Sequence, residues 1–167
     1  MLARAGVPDA GLDAALLLEG LLGVPRLSLF SRGDEALDTG TVSGYRAWTA
    51  RRARREPLQY ILGEAAFMGR VFVCCPGVLI PRADSEAMCA RAVETAGENA
   101  RALDLCCGTG CLGLSLKLDR PDAAVTLSDL SAQACALARE NAARLGAAAE
   151  VVQGDFFAPF AGRVFDL

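Results

Sequence analysis

The sequence predicts an α/β protein in three parts: a small helical N-terminal domain over residues 1–63, a β-hairpin linker over 64–82, and the first half of a Rossmann-like parallel sheet over 83–167. Three observations predict it. Apolar residues recur at helical spacing in the first third of the chain, a glycine-centred pair of extended segments follows Pro57, and from residue 101 the pattern alternates strand, helix, strand, helix, strand. That alternation yields a parallel sheet with right-handed crossovers.

In the first part, Leu12, Leu16, Leu17, Leu21 and Leu22 form the apolar side of a helix that Gly23 and Pro25 stop. A short helix over 28–32 and a longer one from Thr41 to Arg55 follow, the latter with Val42, Tyr45 and Trp48 as its buried stripe. Arg51, Arg52, Arg54 and Arg55 close that helix; they read as a solvated face that complements the helix C-terminus, or as a contact for an acidic partner or RNA. Pro57 forbids simple continuation. Phe67–Val73 reads as two short strands around Gly69, and Val78–Arg82 as a further extended piece. A helix capped by Asp84 or Ser85 runs to Ala96, with Met88, Ala92 and Val93 inward.

The remaining strands are expected over 102–105, 123–127 and 149–153, with a fourth beginning at 164–167. Helices fall over 110–118 and 131–145, the second capped by Ser131 and stopped by Gly146.

Composition excludes several function classes. Among the 167 residues there is no histidine, which removes Ser-His-Asp, Cys-His and most metal-hydrolase mechanisms. Seven cysteines include two adjacent pairs but form no C-x-x-C pattern, so they read as small reduced core residues and no metal site is expected. No apolar run approaches the roughly 18 residues of a membrane helix, and the first residues lack the pattern of a secretory signal. A cytoplasmic protein is expected. The net charge of −3 argues against general nucleic-acid binding, so no direct nucleic-acid partner is expected.

The chemistry concentrates in Leu103–Gly113, where a strand runs into a tight glycine loop and a helix N-terminus. Gly108-x-Gly110-x-x-Gly113 is, literally, the dinucleotide fingerprint, and Asp129 follows where a ribose-binding acid belongs. Asp104 points elsewhere, because a carboxylate within that strand costs several kcal/mol unless a cation or donors meet it. S-adenosylmethionine carries an ammonium group and no phosphate. Asp104 would serve the ammonium, the backbone from Cys106 to Gly110 would underlie the methionyl and ribose portions, and Asp129 would accept the ribose hydroxyls. Asp155 and an adjacent aromatic, Phe156 or Phe157, would meet the adenine.

These residues resemble the HemK-type protein-(glutamine-N5) methyltransferases that modify peptide chain release factors. The likeness covers nearly the whole chain. It rests on the helical N-terminal unit, on Arg55-Glu56-Pro57-Leu58-Gln59-Tyr60-Ile61-Leu62-Gly63 and Phe67-x-Gly69, and on Val78-Leu79-Ile80-Pro81-Arg82 leading to Asp84-Ser85-Glu86. It continues through Leu103-Asp104-Leu105, Gly108-Thr109-Gly110-Cys111-Leu112, Ser128-Asp129-Leu130-Ser131 and Gly154-Asp155-Phe156-Phe157. The resemblance implies a class I methyltransferase sheet, S-adenosylmethionine as cofactor, and a release factor's glutamine-bearing loop as protein substrate. It maps the cofactor loop to Cys106, Cys107, Gly108, Thr109 and Gly110, the ribose acid to Asp129, and the adenine contacts to Asp155 and Phe156.

Two departures stand out: Cys106 holds what is commonly the first glycine of the loop, and Ala83 replaces a usual proline. In the family the strand starting at Val164 leads into Asn-Pro-Pro-Tyr, which presents the acceptor amide, and the sequence ends at Leu167 before it. The expectation is therefore no catalytic residue within this chain, and methyl transfer only by the parent protein. The rival readings are a nucleic-acid amino-methyltransferase, an NAD-dependent oxidoreductase and a non-catalytic binding module.

Overall fold

In the computed structural model, which describes residues 1–167 apart from the Phe30 side chain, the chain divides between Gly63 and Glu64 into two units. The first holds α1 (Ala10–Leu22), α2 (Arg26–Ser31), α3 (Thr39–Ala53) and α4 (Leu58–Leu62). α3 starts before Thr41 because Asp38 caps it, its carboxylate accepting the N–H groups of Gly40 and Thr41. α3 ends at Ala53, ahead of Pro57, and Arg55 adopts the left-handed conformation beyond it; Pro57 starts the single turn α4, which Gly63 closes in the left-handed conformation. Leu2, Val7, Leu17 and Ile61 form the buried centre, with Tyr45 and Trp48 partly buried against it.

Two expectations about this unit are corrected. Leu12 is exposed, and its neighbour Asp13 is buried instead. The reason is an ion pair: the Arg52 guanidinium reaches the Asp13 carboxylate at 2.6 Å and also donates to the Glu56 carbonyl at 3.0 Å. The arginine cluster splits, with Arg51 and Arg52 partly buried and Arg54 and Arg55 exposed. Arg51 pairs with Glu56 at 2.5 Å and Arg55 donates to the Gly6 carbonyl at 2.6 Å, so three of the four guanidiniums are spent on the unit's own chain.

The second unit opens with a hairpin, β1 (Glu64–Phe67) against β2 (Arg70–Val73). Its two-residue turn places Met68 at φ 49° and Gly69 at φ 69°, the left-handed pair that matches the twist of a tight hairpin. Phe67 and Phe72 are buried with their rings edge to face at 6.2 Å, in the same core as the parallel strands. Val78–Arg82 forms no strand. α5 (Asp84–Thr95) follows, and Glu86 in its first turn accepts the Met68 N–H at 2.7 Å. Met88, expected inward, is 59% exposed, and Cys89 takes the inner position, its thiol 3.7 Å from the Leu112 carbonyl.

β3 (Arg101–Leu105), β4 (Ala124–Asp129) and β5 (Glu150–Gln153) form a parallel sheet in that order, crossed over by α6 (Cys111–Asp119) and α7 (Ala132–Leu145). Asp104 stands opposite Leu127, and Ser128 opposite Val152. The expected fourth strand is not formed as a strand, yet its end begins to pair. The Asp166 N–H donates to the Arg101 carbonyl at 2.7 Å and the Leu103 N–H to the Leu167 carbonyl at 3.0 Å, so β3 has hydrogen-bonded chain on both sides. Ser131 caps α7 by accepting the Ala134 N–H. Leu114, Val125, Leu127 and Ala138 make the core between sheet and helices. No helix among the described residues is long and apolar enough to cross a membrane.

The buried ion pair generates a first prediction. Arg52→Met leaves the Asp13 carboxylate without its cation and is expected to cost the first unit about 3 kcal/mol. Urea unfolding followed by the fluorescence of Trp48, the sole tryptophan, reads this directly; a loss below about 0.5 kcal/mol, the level of an exposed pair, contradicts it.

Candidate functional site

Past β3 the chain turns through Cys106–Gly110 into α6. Cys106, Gly108 and Gly110 all adopt left-handed backbone, at φ 59°, 55° and 78°. The Cys107 N–H donates to the Ser128 carbonyl at 2.9 Å, carrying the strand pairing one step past β3, and the Gly110 N–H closes the turn on the Cys107 carbonyl at 2.7 Å. Asp129 braces the loop from the end of β4. One carboxylate oxygen accepts the Gly108 N–H at 3.0 Å and the other accepts the Ser131 N–H at 2.9 Å. Each oxygen retains capacity for a second bond, so the group can still take donors from a ligand.

Four of the sequence-predicted residues meet at one cavity of about 120 Å³: Cys106, Asp129, Asp155 and Phe156, with Leu130 as a further wall. Leu130 and Phe156 are exposed apolar side chains. No Lys or Arg lines the cavity. Its chemistry is therefore that of two acceptors beside an aromatic ring, suited to hydroxyl and amino groups on a flat heterocyclic ligand and unsuited to phosphate.

The other predicted residues stand behind this surface. Cys107, Thr109 and Gly110 are buried, so the loop presents backbone and not these side chains. Burial pushes the Cys107 thiol up, and Cys89 and Cys74 are raised to about 11 for the same reason, which keeps these thiols neutral. A Cβ on Gly110 would lie 2.8 Å from the Leu127 side chain, so that glycine serves close packing as well as the turn.

Asp104 lines a separate apolar cleft of about 230 Å³, among Met88, Leu103, Leu112 and Leu116. Its carboxylate accepts the Gly113 N–H at 2.9 Å, in the first turn of α6. Burial raises its pKa to about 6; the Gly113 bond pulls it back and the negative charge of Asp129 adds to the rise. A Cβ on Gly113 would stand 3.0 Å from the Asp104 Cβ. The third glycine of the fingerprint thus makes room for Asp104.

Sequence reasoning passed over one polar side chain that touches the loop. Asn141, on the buried side of α7, is 1% exposed and donates to the Thr109 carbonyl at 3.0 Å. An amide on an otherwise alanine-rich buried stripe was the available signal.

Residues 84–167 match the methyltransferase small domain family, and residues 1–63 match the PrmC N-terminal domain family. The chain is 41% identical over 166 residues to the release factor glutamine methyltransferase of Geobacter sulfurreducens, covering 99% of this chain and 58% of that one. It is 42% identical over 165 residues to the enzyme of the same name from Deinococcus radiodurans, covering 96% of this chain and 59% of that one. The chain therefore spans rather more than half the length of these curated relatives.

Two predictions come from the loop. The Asp104 proton is held more tightly in the fold than in the unfolded chain, so this group's contribution is complete below its ordinary value near 3.8 and is lost as the pH rises through about 6. Asp104→Asn keeps an acceptor for the Gly113 N–H and is expected to exceed the wild type in stability by roughly 2–3 kcal/mol at neutral pH and to match it near pH 4. Urea unfolding across that range checks this; a pH-independent difference contradicts it. Cys106 is a side-chain-bearing residue in glycine's conformation, so Cys106→Gly is expected to raise stability by about 1 kcal/mol or less, offset in part by a more flexible unfolded chain, without weakening ligand binding. A fall in the melting midpoint would refute this.

Proposed function

We propose the activity from one fixed point: the chain belongs to the methyltransferase small domain family, and its cavity at Cys106, Asp129, Asp155 and Phe156 is the S-adenosylmethionine site of a release factor glutamine N5-methyltransferase. Asp129 is positioned to accept the ribose hydroxyls, Asp155 the adenine amino group, and Phe156 to lie on the ring, while Asp104, in its own cleft and bonded to the Gly113 N–H, would act on the ammonium group through water and not by direct contact. When bound, S-adenosylmethionine supplies a methyl group made electrophilic by its sulfonium. The acceptor, the side-chain amide of a glutamine in a peptide chain release factor, is inferred from the names of the relatives. A release factor substrate implies a cytoplasmic protein.

The observation that carries the cofactor over its NAD rival is the carboxylate on the Gly113 N–H. A dinucleotide sets its pyrophosphate on the N–H groups of the glycine loop and the following helix N-terminus. Here Asp129 holds the Gly108 N–H and Asp104 holds that of Gly113, so two negative charges stand where a third would have to enter. A cationic ligand meets the opposite sign. The arginine cluster favours a protein acceptor over nucleic acid in turn, because Arg51, Arg52 and Arg55 are already engaged within their own unit.

Calorimetric titration with S-adenosylhomocysteine and with NADH tests the cofactor. Binding of the first is expected and of the second is not, and Asp129→Ala should weaken the first by about tenfold or more through lost charge-assisted hydrogen bonds; tight binding of NADH alone sinks the reading. A release factor titrated into the S-adenosylhomocysteine-loaded protein is expected to bind saturably, and preference for RNA in its place overturns the acceptor.

A further inference from the structure

We propose that Asn141 is the positioning residue of the cofactor loop: its side-chain amide fixes the Thr109 carbonyl and both backbone groups of Val73, so that loop and hairpin keep a single geometry. The claim rests on the S-adenosylmethionine reading of the site and adds a residue outside the cavity. Asn141 Oδ1 accepts the Val73 N–H at 2.7 Å, and Nδ2 donates to the Val73 carbonyl at 3.2 Å and to the Thr109 carbonyl at 3.0 Å. The amide thus pairs with Val73 as a neighbouring strand residue would, and extends the hairpin's hydrogen bonding to the loop.

An apolar side chain is the cheaper choice at this position. Ala134, Ala138 and Ala142 occupy the same buried side of α7, and a buried amide costs free energy unless it is fully paired. What it secures is specific. Thr109 lies between two left-handed glycines, Gly108 and Gly110, so its peptide is the part of the loop with the greatest freedom to turn. Asn141 holds that peptide by its oxygen, while the Gly110 N–H of the same peptide binds the Cys107 carbonyl. With the Thr109–Gly110 plane set, the path of Cys106–Gly108 past Asp129 is set as well.

α7 holds the adjoining connector by the same means. Gln133, about two turns earlier on the helix, donates to the Pro76 carbonyl at 2.8 Å, and Ala134 and Leu137 pack on Val78. Val78 in turn lies beside Gly108, where a Cβ would be 3.7 Å from its side chain. One helix face therefore fastens the stretch from Val73 to Val78 and the glycine loop together, and Asn141 is the residue that bonds to both.

The test compares Asn141→Ala with Leu145→Ala, which removes partly buried core volume from the same helix. Both variants should lower the melting midpoint. Well below that midpoint, Asn141→Ala is expected to weaken S-adenosylhomocysteine binding by about tenfold or more, while Leu145→Ala stays within about twofold of the wild type. Amide hydrogen exchange should accelerate at Val73 and Gly110 in the first variant only. If Asn141→Ala does not fold, Asn141→Asp carries the same comparison, since it keeps an acceptor for the Val73 N–H and sets a carboxylate against two carbonyls. Unchanged affinity in the Asn141 variant, or an equal loss in Leu145→Ala, overturns the assignment. Wild-type protein that does not bind S-adenosylhomocysteine fails the cofactor reading instead, and the exchange measurement then decides the Asn141 assignment alone, unchanged exchange overturning it.

Discussion

The hydrogen bond from the Gly113 N–H to the Asp104 carboxylate is the contact on which the second unit depends. It joins a strand residue to the third backbone donor of the next helix, a group that has no partner within α6. The bond fixes how closely α6 approaches β3, which is why position 113 has no room for a side chain. It also places a buried negative charge at the positive end of the helix, where the dipole favours it and the surrounding Leu112 and Leu116 do not. The pKa near 6 records that contest, with burial outweighing the donor.

From that contact the loop's other constraints follow outward. Asp129 answers Asp104 from the neighbouring strand and takes the loop's Gly108 N–H, so both ends of the glycine turn are held by carboxylates. The inner side of the turn is held by Asn141 and the outer side faces the cavity. Cys106 shows the cost of this arrangement. Its left-handed backbone is one that glycine adopts freely and that a side chain makes costly. Cys106 is exposed, whereas Cys89, Cys107 and Cys111 are buried.

Much of the fold was legible because its signals are local. Ser131 and Gly146 mark the ends of α7 by their capping chemistry alone, and the strands betray themselves by short apolar runs between turns. What sequence reasoning misplaced depended on long-range partners. Leu12 and Asp13 exchange roles because Arg52 lies 39 positions away, and Met88 yields to Cys89, whose thiol meets the Leu112 carbonyl of α6. The site divides the same way. Asp129, Asp155 and Phe156 sit at consecutive strand ends, where topology brings them together whatever the side chains do between. The sequence marks Asn141 as an amide on an alanine-rich stripe but not what it binds, since its partners are backbone carbonyls and an N–H on segments 32 and 68 residues distant.

The glycine fingerprint itself is the sharper lesson, because the same spacing supports opposite ligands. Gly-x-Gly-x-x-Gly specifies a tight turn, a close backbone and a helix start, and leaves open the sign of charge that the turn will receive. That sign is decided one element earlier. With an apolar residue in the strand, the helix N-terminus offers unpaired N–H groups to an anion; with Asp104 there, the donor is already matched and the site presents negative charge. A single strand residue, read together with the glycine that accommodates it, therefore separates a phosphate cradle from a site for a cation. In this chain both halves of that pair are present, at Asp104 and Gly113, and two further carboxylates, Asp129 and Asp155, line the neighbouring cavity.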